Sequence, residues 1–412
     1  MQPAAAIEAA SFAVMCLRSF LALFRYHCEE TTILQGIGIS PLQASEPPIQ
    51  PGVARYHQLD SLRGLAAMTV VLLHFRNLLI PDEVIPSLSR WQRLALHLCG
   101  PLTAGTEAVV LFFVLSGFVL MLPYIKGVNQ TWGIFVVRRI LRIYGPYLFA
   151  LALAVAGAAI WHGPHGMGDW GDHIWSEPVS PKLVLQHFLM LGIYNVSQYN
   201  PAFWTLIEEM RISIIYPVLA YAVMRFPAKY SLLLAAALAL FARGFLHIRP
   251  DADWILTVEY IGVFICGMVL ARNVRVVGQW YRARNTTVRV LLALSAAVLY
   301  FGGHGQKHGA LWFFTLGSLM FIVIALHSRR VGAFLSLGIP VYLGRISYSL
   351  YLVHIPMLFA LAITLHRRIP VWLILPLYVC ASIALAGAFY TLVEKPFTQA
   401  SRRVARVKVM AV

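Results

Sequence analysis

The chain has 412 residues, of which 59% are hydrophobic and only 12% charged, a balance that excludes an ordinary soluble globule and reads as an integral membrane protein. Its formal net charge of +16 is divided among short basic runs between apolar segments, which follows the topology bias of membrane loops and speaks against a nucleic-acid partner. Five cysteines without metal-ligand spacing indicate neither a disulfide framework nor a zinc site, and no metal is expected.

In chain order, residues 1–58 read as a leader and linker, with an apolar stretch near 4–24 and then a Gly/Pro/Gln-rich segment. Arg18 and Arg25 interrupt or flank the apolar part. The order of charge, apolar core and cleavage site that marks a signal peptide is missing, and an interfacial helix or a start site set too early fits as well. Ten candidate spans follow, near 60–80, 104–122, 146–161, 204–223, 231–248, 254–271, 289–303, 309–327, 344–365 and 372–394. Segment 183–195 is too short to cross a bilayer and reads as re-entrant. The predicted fold class is an all-α integral membrane protein, a polytopic bundle of about ten transmembrane helices over 59–397, with a basic tail over 398–412.

Alternate connections carry Arg138, Arg139, Arg142, Arg225, Arg272 and Arg329, while the others hold Asp82, Glu83, Asp169, Asp172 and Glu177. That asymmetry predicts both termini in the cytoplasm. No internal repeat is visible, which counts against an inverted-repeat transporter.

Four charged or polar constellations stand out in this apolar background. Within LDSLRGLAAMTVVLLHF, Arg63 and His74 are eleven residues apart, so on a helix they return to nearly one face, about three turns and ~16 Å apart. Ionisable groups in a span usually face a bundle interior or a wet cavity; the plainer alternative is a histidine satisfied by a neighbouring carbonyl. In RRILRIYGP, Arg139 and Arg142 share a face, and such a cluster suits phosphates, although a topology signal alone explains it as well.

In FWTLIEEMRISIIYP, Glu208 and Arg211 stand at i, i+3 and fit a structural pair. Glu209 falls on another face, one turn after Thr205, as an acid able to orient a histidine or hold a cation, or simply to protonate and stay idle. In GRISYSLYLVHIP, Tyr351 and His354 bring polar tips into an apolar helix, as satisfied packing or as a polar cavity wall. LFFVLSGFVL reads as a packing element in which Ser116 and Gly117 allow close helix approach.

These blocks, together with the terminal VEKPF, occur in the order found in the acyltransferase 3 family of membrane O-acyltransferases, and the chain resembles that family from about residue 59 to 397. The resemblance implies a bacterial inner-membrane enzyme that moves an acyl group, most often acetyl, from cytoplasmic acyl-CoA to a hydroxyl of a cell-surface or secreted glycan. Acyl-CoA is then a donor substrate and no cofactor stays bound. The family's arginine, ten intervening residues and histidine correspond to Arg63 and His74. Its Arg-x-x-Arg corresponds to Arg139 and Arg142, and its Trp-Ser/Thr-Leu-x-x-Glu to Trp204, Thr205, Leu206 and Glu209.

His74 and Glu209 are accordingly expected in catalysis, and Arg63, Arg139, Arg142, Trp204, Tyr351 and His354 in substrate binding. Expected partners are the glycan or lipid-linked glycan acceptor, membrane lipid and a protein of a polysaccharide biosynthesis system. Two departures stand out. Val110 occupies the place where many members carry an acid before the Phe-Phe pair, with Glu107 further upstream, and the extracytoplasmic hydrolase-like domain of some members is missing. A transporter or flippase for a glycan is the rival reading of the same intramembrane charges.

Overall fold

The computed structural model describes residues 56–407 apart from 129, 191–193, 249–253, 304–309 and 367. The expected leader therefore lies outside the described residues up to position 55, and the expected tail lies outside them from 408. Tyr56–Phe226 and the chain from Ser231 onward belong to one unit. Among the described residues there is no strand, so the all-α class holds.

The helices of seven residues or more are α1 His57–Leu79, α2 Arg90–Leu98, α3 Gly105–Ile125, α4 Trp132–Ile160, α5 Pro181–Leu189, α6 Trp204–Arg225 and α7 Ala228–Ile248. They continue as α8 Trp254–Arg272, α9 Val274–Ala283, α10 Thr286–Phe301, α11 Leu311–His327, α12 Arg329–Leu335, α13 Gly338–Leu365 and α14 Val371–Val404. Seven of them, α1, α3, α4, α7, α8, α13 and α14, are long and apolar enough to cross a membrane, or up to eight spans if α11 and α12, bent by 90°, are one. Each of the ten expected spans falls on a helix. The count differs because α6 carries Glu208, Glu209 and Arg211 in mid-helix and α10 has only 16 residues.

Small residues set the crossings that place the polar groups. A methyl on Gly64 of α1 would strike the Gly344 amide of α13, and one on Gly344 would strike the Asp60 carbonyl in return. The two backbones are thus in direct contact, which small residues permit between spans. In the same way Gly117 of α3 lies on the Phe264 carbonyl of α8, and Gly267 of α8 lies on the Val114 carbonyl of α3. The LFFVLSGFVL block is a packing element, as its small residues suggest.

Two helices change pitch. α4 passes through a π turn at Ile140–Tyr144, and α14 through one at Tyr390–Glu394. The third span consequently starts at Trp132 rather than at Pro146. Pro146 sits in the first turn after the pitch change, and its missing N–H does not end the helix. Gly145 packs against the Phe397 ring, so the RRILRIYGP and VEKPF blocks meet at their π turns.

Beyond the C-terminal end of α1, residues 161–190 pack on the bundle, with Gly171 against Leu78 and the Trp175 ring against Phe359. Trp175, fully buried, donates from Nε1 to the Tyr199 carbonyl at 3.0 Å, and its amide donates to the Gln198 carbonyl at 2.9 Å. Asp172 accepts from the amides of His165 and Met167 at 3.0 and 3.2 Å. These bonds fix the segment that carries Trp170 above α1. Segment 183–195, expected to be re-entrant, contains α5, a nine-residue helix too short to span.

Candidate active site

The residues singled out in the sequence form two groups, one toward each end of α1. At the C-terminal end, His74 lines a cavity of about 110 Å³ together with Val70, Leu73, Thr106, Trp204, Tyr260 and Tyr351. Its walls are mostly apolar and aromatic, and His74 and the two tyrosines are its titratable groups.

α1 presents His74 there because Val70 and His74 are one turn apart, and His74 Nδ1 lies 3.0 Å from the Val70 carbonyl. His354 of α13 brings its Nε2 to 3.1 Å from the same Nδ1, and the Trp170 ring stacks on the imidazole at 5.4 Å between centroids.

α6 and α13 are pinned beside the cavity. Tyr351 shares a hydrogen bond of 2.7 Å with Thr205 and donates to the Ala202 carbonyl at 3.0 Å. Asn200, fully buried, donates to the Leu352 carbonyl at 3.2 Å and accepts from the Ala202 amide at 3.0 Å. Those four bonds fix the first turn of α6 and with it Trp204.

Toward the N-terminal end of α1 lies a cluster of guanidiniums and carboxylates. Arg63 donates from Nη2 to Asp60 at 2.9 Å and from Nε to Ser347 at 3.1 Å. Arg139, buried, donates to Glu209 at 2.5 Å and to Ser213 at 3.0 Å, and Ser116 donates to the same Glu209 oxygen at 3.2 Å. Glu394 accepts from the Ser349 hydroxyl and amide at 2.6 and 3.2 Å.

Arg142 has Arg63, Arg139, Glu209 and Glu394 within electrostatic range, keeps contact with solvent, and makes no hydrogen bond or ion pair among the described residues. Tyr348 closes the cluster by donating to the Ile143 carbonyl at 2.8 Å, within the π turn of α4. The two π turns therefore bring Arg142 and Glu394 to one place, and a pitch change of this kind recurs at functional sites.

His74, Trp204 and Tyr351 line the cavity with His354 buried against His74, and Arg63, Arg139, Arg142 and Glu209 meet in the arginine cluster. Glu209 is engaged with Arg139 and Ser116, whereas the contact to His74 that sequence reasoning gave to Glu209 is made by His354. Glu208 and Arg211 form the expected pair at 3.0 Å, and Thr257 of α8 donates to Glu208 at 2.5 Å, tying α6 to α8.

Sequence reasoning missed Trp170, Asn200 and Glu394. An acid at the end of an apolar span is a signal that points to Glu394. The aromatic and acidic character of 162–182 hints at Trp170, and nothing in the sequence marks Asn200.

A family model described as an acyltransferase domain matches residues 56–391, a stretch that holds both clusters apart from Glu394. No curated protein and no solved structure matches the chain.

Proposed function

The chain belongs to the acyltransferase 3 family and is a membrane acyltransferase, and on that premise we propose that it transfers an acyl group, acetyl by likeness to the family, from acyl-CoA to a hydroxyl of a cell-surface or secreted glycan. The observation that carries this reading is the division of labour along α1. An arginine cluster with a solvent-contacting guanidinium stands toward one end, and an imidazole in a largely apolar cavity stands eleven residues away, about 16 Å along the helix. A donor whose anionic head lies far from its reactive thioester suits that spacing. Guanidiniums suit the phosphates, and a largely apolar cavity that the bound donor fills favours acyl transfer over hydrolysis.

In this mechanism Arg142, with Arg139 and Arg63 beside it, holds the donor phosphates, and the thioester carbon lies in the cavity beside His74. The imidazole takes the proton of the acceptor hydroxyl as its oxygen attacks that carbon. The C–S bond then breaks, and the departing thiolate takes the proton back from His74, leaving an ester and free CoA thiol. Trp204 and Tyr351 shape the cavity around the reacting groups, and Glu209 keeps Arg139 in place.

The protein works in a bacterial inner membrane with the arginine cluster toward the cytoplasm, and a glycan or lipid-linked glycan, presented by a polysaccharide biosynthesis system, meets the end where Trp170 covers His74. The experiment is incorporation of labelled acetyl groups from acetyl-CoA by membranes carrying the protein. New label in an alkali-labile glycan ester, together with free thiol, supports the enzyme. Glycan movement without ester formation overturns this reading in favour of a transporter.

A further inference from the structure

His74 and His354 are 280 positions apart, yet their rings are in contact, with centroids 5.0 Å apart. His354 Nδ1 faces two backbone carbonyls, those of Leu350 at 3.1 Å and Tyr351 at 2.8 Å. Carbonyls only accept, so Nδ1 carries the proton and Nε2 of the neutral ring is a lone pair. That lone pair and the Val70 carbonyl both face His74 Nδ1, at 3.1 and 3.0 Å. Between two acceptors, His74 Nδ1 must be the protonated nitrogen, which leaves Nε2 as the nitrogen able to take a proton.

We propose that His354 is a positioning residue: it fixes His74 in the Nδ1–H tautomer and strengthens its hold on that N–H when His74 becomes an imidazolium. This rests on the reading of His74 as the base in acyl transfer. The acceptor proton moves to His74 Nε2 and later to the departing thiolate, while the Nδ1–H stays bonded to His354, which ends the cycle unchanged.

The Val70 carbonyl alone does less, because it lies in the hydrogen-bond ladder of α1 and offers no basic lone pair. His354 itself is completely buried. Its helix is locked against α6 through Tyr351 and Asn200, so the acceptor does not turn away. A neutral imidazole here takes the place that an acid holds in other base-orienting arrangements, and it avoids a second charge in an apolar site.

The test compares His354→Phe, which keeps bulk and removes the acceptor, with His354→Gln, whose amide oxygen reaches the place of Nε2. Membranes with acetyl-CoA as the probe are assayed for thiol release and glycan ester, normalised to protein level, with His74→Ala as the control. Loss of a hydrogen bond that becomes charged in the transition state predicts about 10- to 100-fold lower turnover for His354→Phe. The acetyl-CoA KM stays within about twofold, because the bond does not touch the donor and gains its extra strength only as His74 becomes charged, and His354→Gln recovers most of the rate.

Should the Phe variant fail to reach the membrane, His354→Asn replaces it, since its amide bonds the Leu350 and Tyr351 carbonyls but stops short of His74. Full turnover without the acceptor, a loss confined to KM, or a Gln variant no better than Phe overturns the proposal. An inactive His74→Ala beside a fully active His354→Phe removes only this inference, whereas an active His74→Ala removes the reading beneath it.

Discussion

Replacing Glu209 by Gln separates two roles for this carboxylate. The structure joins it to Arg139 at 2.5 Å, with side-chain exposures of 21% and 9% respectively, and to Ser116. The amide keeps an acceptor but loses the charge. Arg139 stays charged, so its bond to the amide is still charge-assisted, and losing the carboxylate's own charge loosens the side chain by about 1–2 kcal/mol. At 1.4 kcal/mol per tenfold, donor affinity falls by about 5- to 30-fold.

Initial-rate measurements on membranes at varied acetyl-CoA should show that rise in KM, with turnover at saturating donor and its pH profile unchanged, because His74 has its own partners in His354 and Val70. Glu209→Ala goes further. It leaves a buried guanidinium with Ser213 alone, a change that costs about 3–5 kcal/mol and should appear as depleted protein in the membrane. A Gln variant with unaltered KM but lower turnover and a displaced pH profile refutes the separation, since Glu209 would then be acting on His74.

Gly64→Ala forces α1 away from α13, because the added methyl meets the Gly344 backbone. Overpacking of this kind costs about 1–3 kcal/mol, and quantitative immunoblotting of membranes should show a lower level; a wild-type level and rate contradict the tight crossing. Trp170→Ala uncovers one face of His74 and admits water. Free thiol should then appear from acetyl-CoA without matching ester, and tightly coupled thiol and ester argue against a covering role.

His187 lies in α5, outside the spans, and burial pushes it down from 6.5 to about 4. The unfolded chain then binds a proton that the folded one refuses, so this stability is intact above about pH 6.5 and is lost as pH falls toward about 4, on the order of a few kcal/mol in all. Thermal unfolding in detergent between pH 7.5 and 4.5 should show that slope, and His187→Asn should flatten it; equal slopes in the two proteins contradict the assignment.

The helices were legible because their signal is local. Each expected span is an apolar run, and each coincides with a helix of the bundle. What was not legible depends on exceptions to the regular helix and on distance in the chain. Pro146 looks like a helix start, yet a π turn carries α4 through it. The VEKPF block ends a predicted span, yet a second π turn continues α14 and brings Glu394 beside Arg142.

The candidate site was legible as residue types and not as contacts. Arg63 and His74 share α1 and are readable from spacing. By contrast, the neighbour of His74 comes from 280 positions away and its covering ring from the short helix Gly168–Asp172. The same face argument that separated Glu208 from Glu209 correctly paired Glu208 with Arg211. It carried no information on which helices would meet Glu209, and those are α4, through Arg139, and α3, through Ser116.

The central claim, that His74 is the group through which acyl transfer proceeds, is tested most directly by His74→Ala. The protein is brought to wild-type membrane level and assayed with labelled acetyl-CoA for thiol release and glycan ester in the same reaction. A general base contributes about 10²- to 10⁴-fold, so both products should fall together by at least that lower figure while the acetyl-CoA KM changes little. Undiminished ester formation by His74→Ala at that protein level contradicts the account.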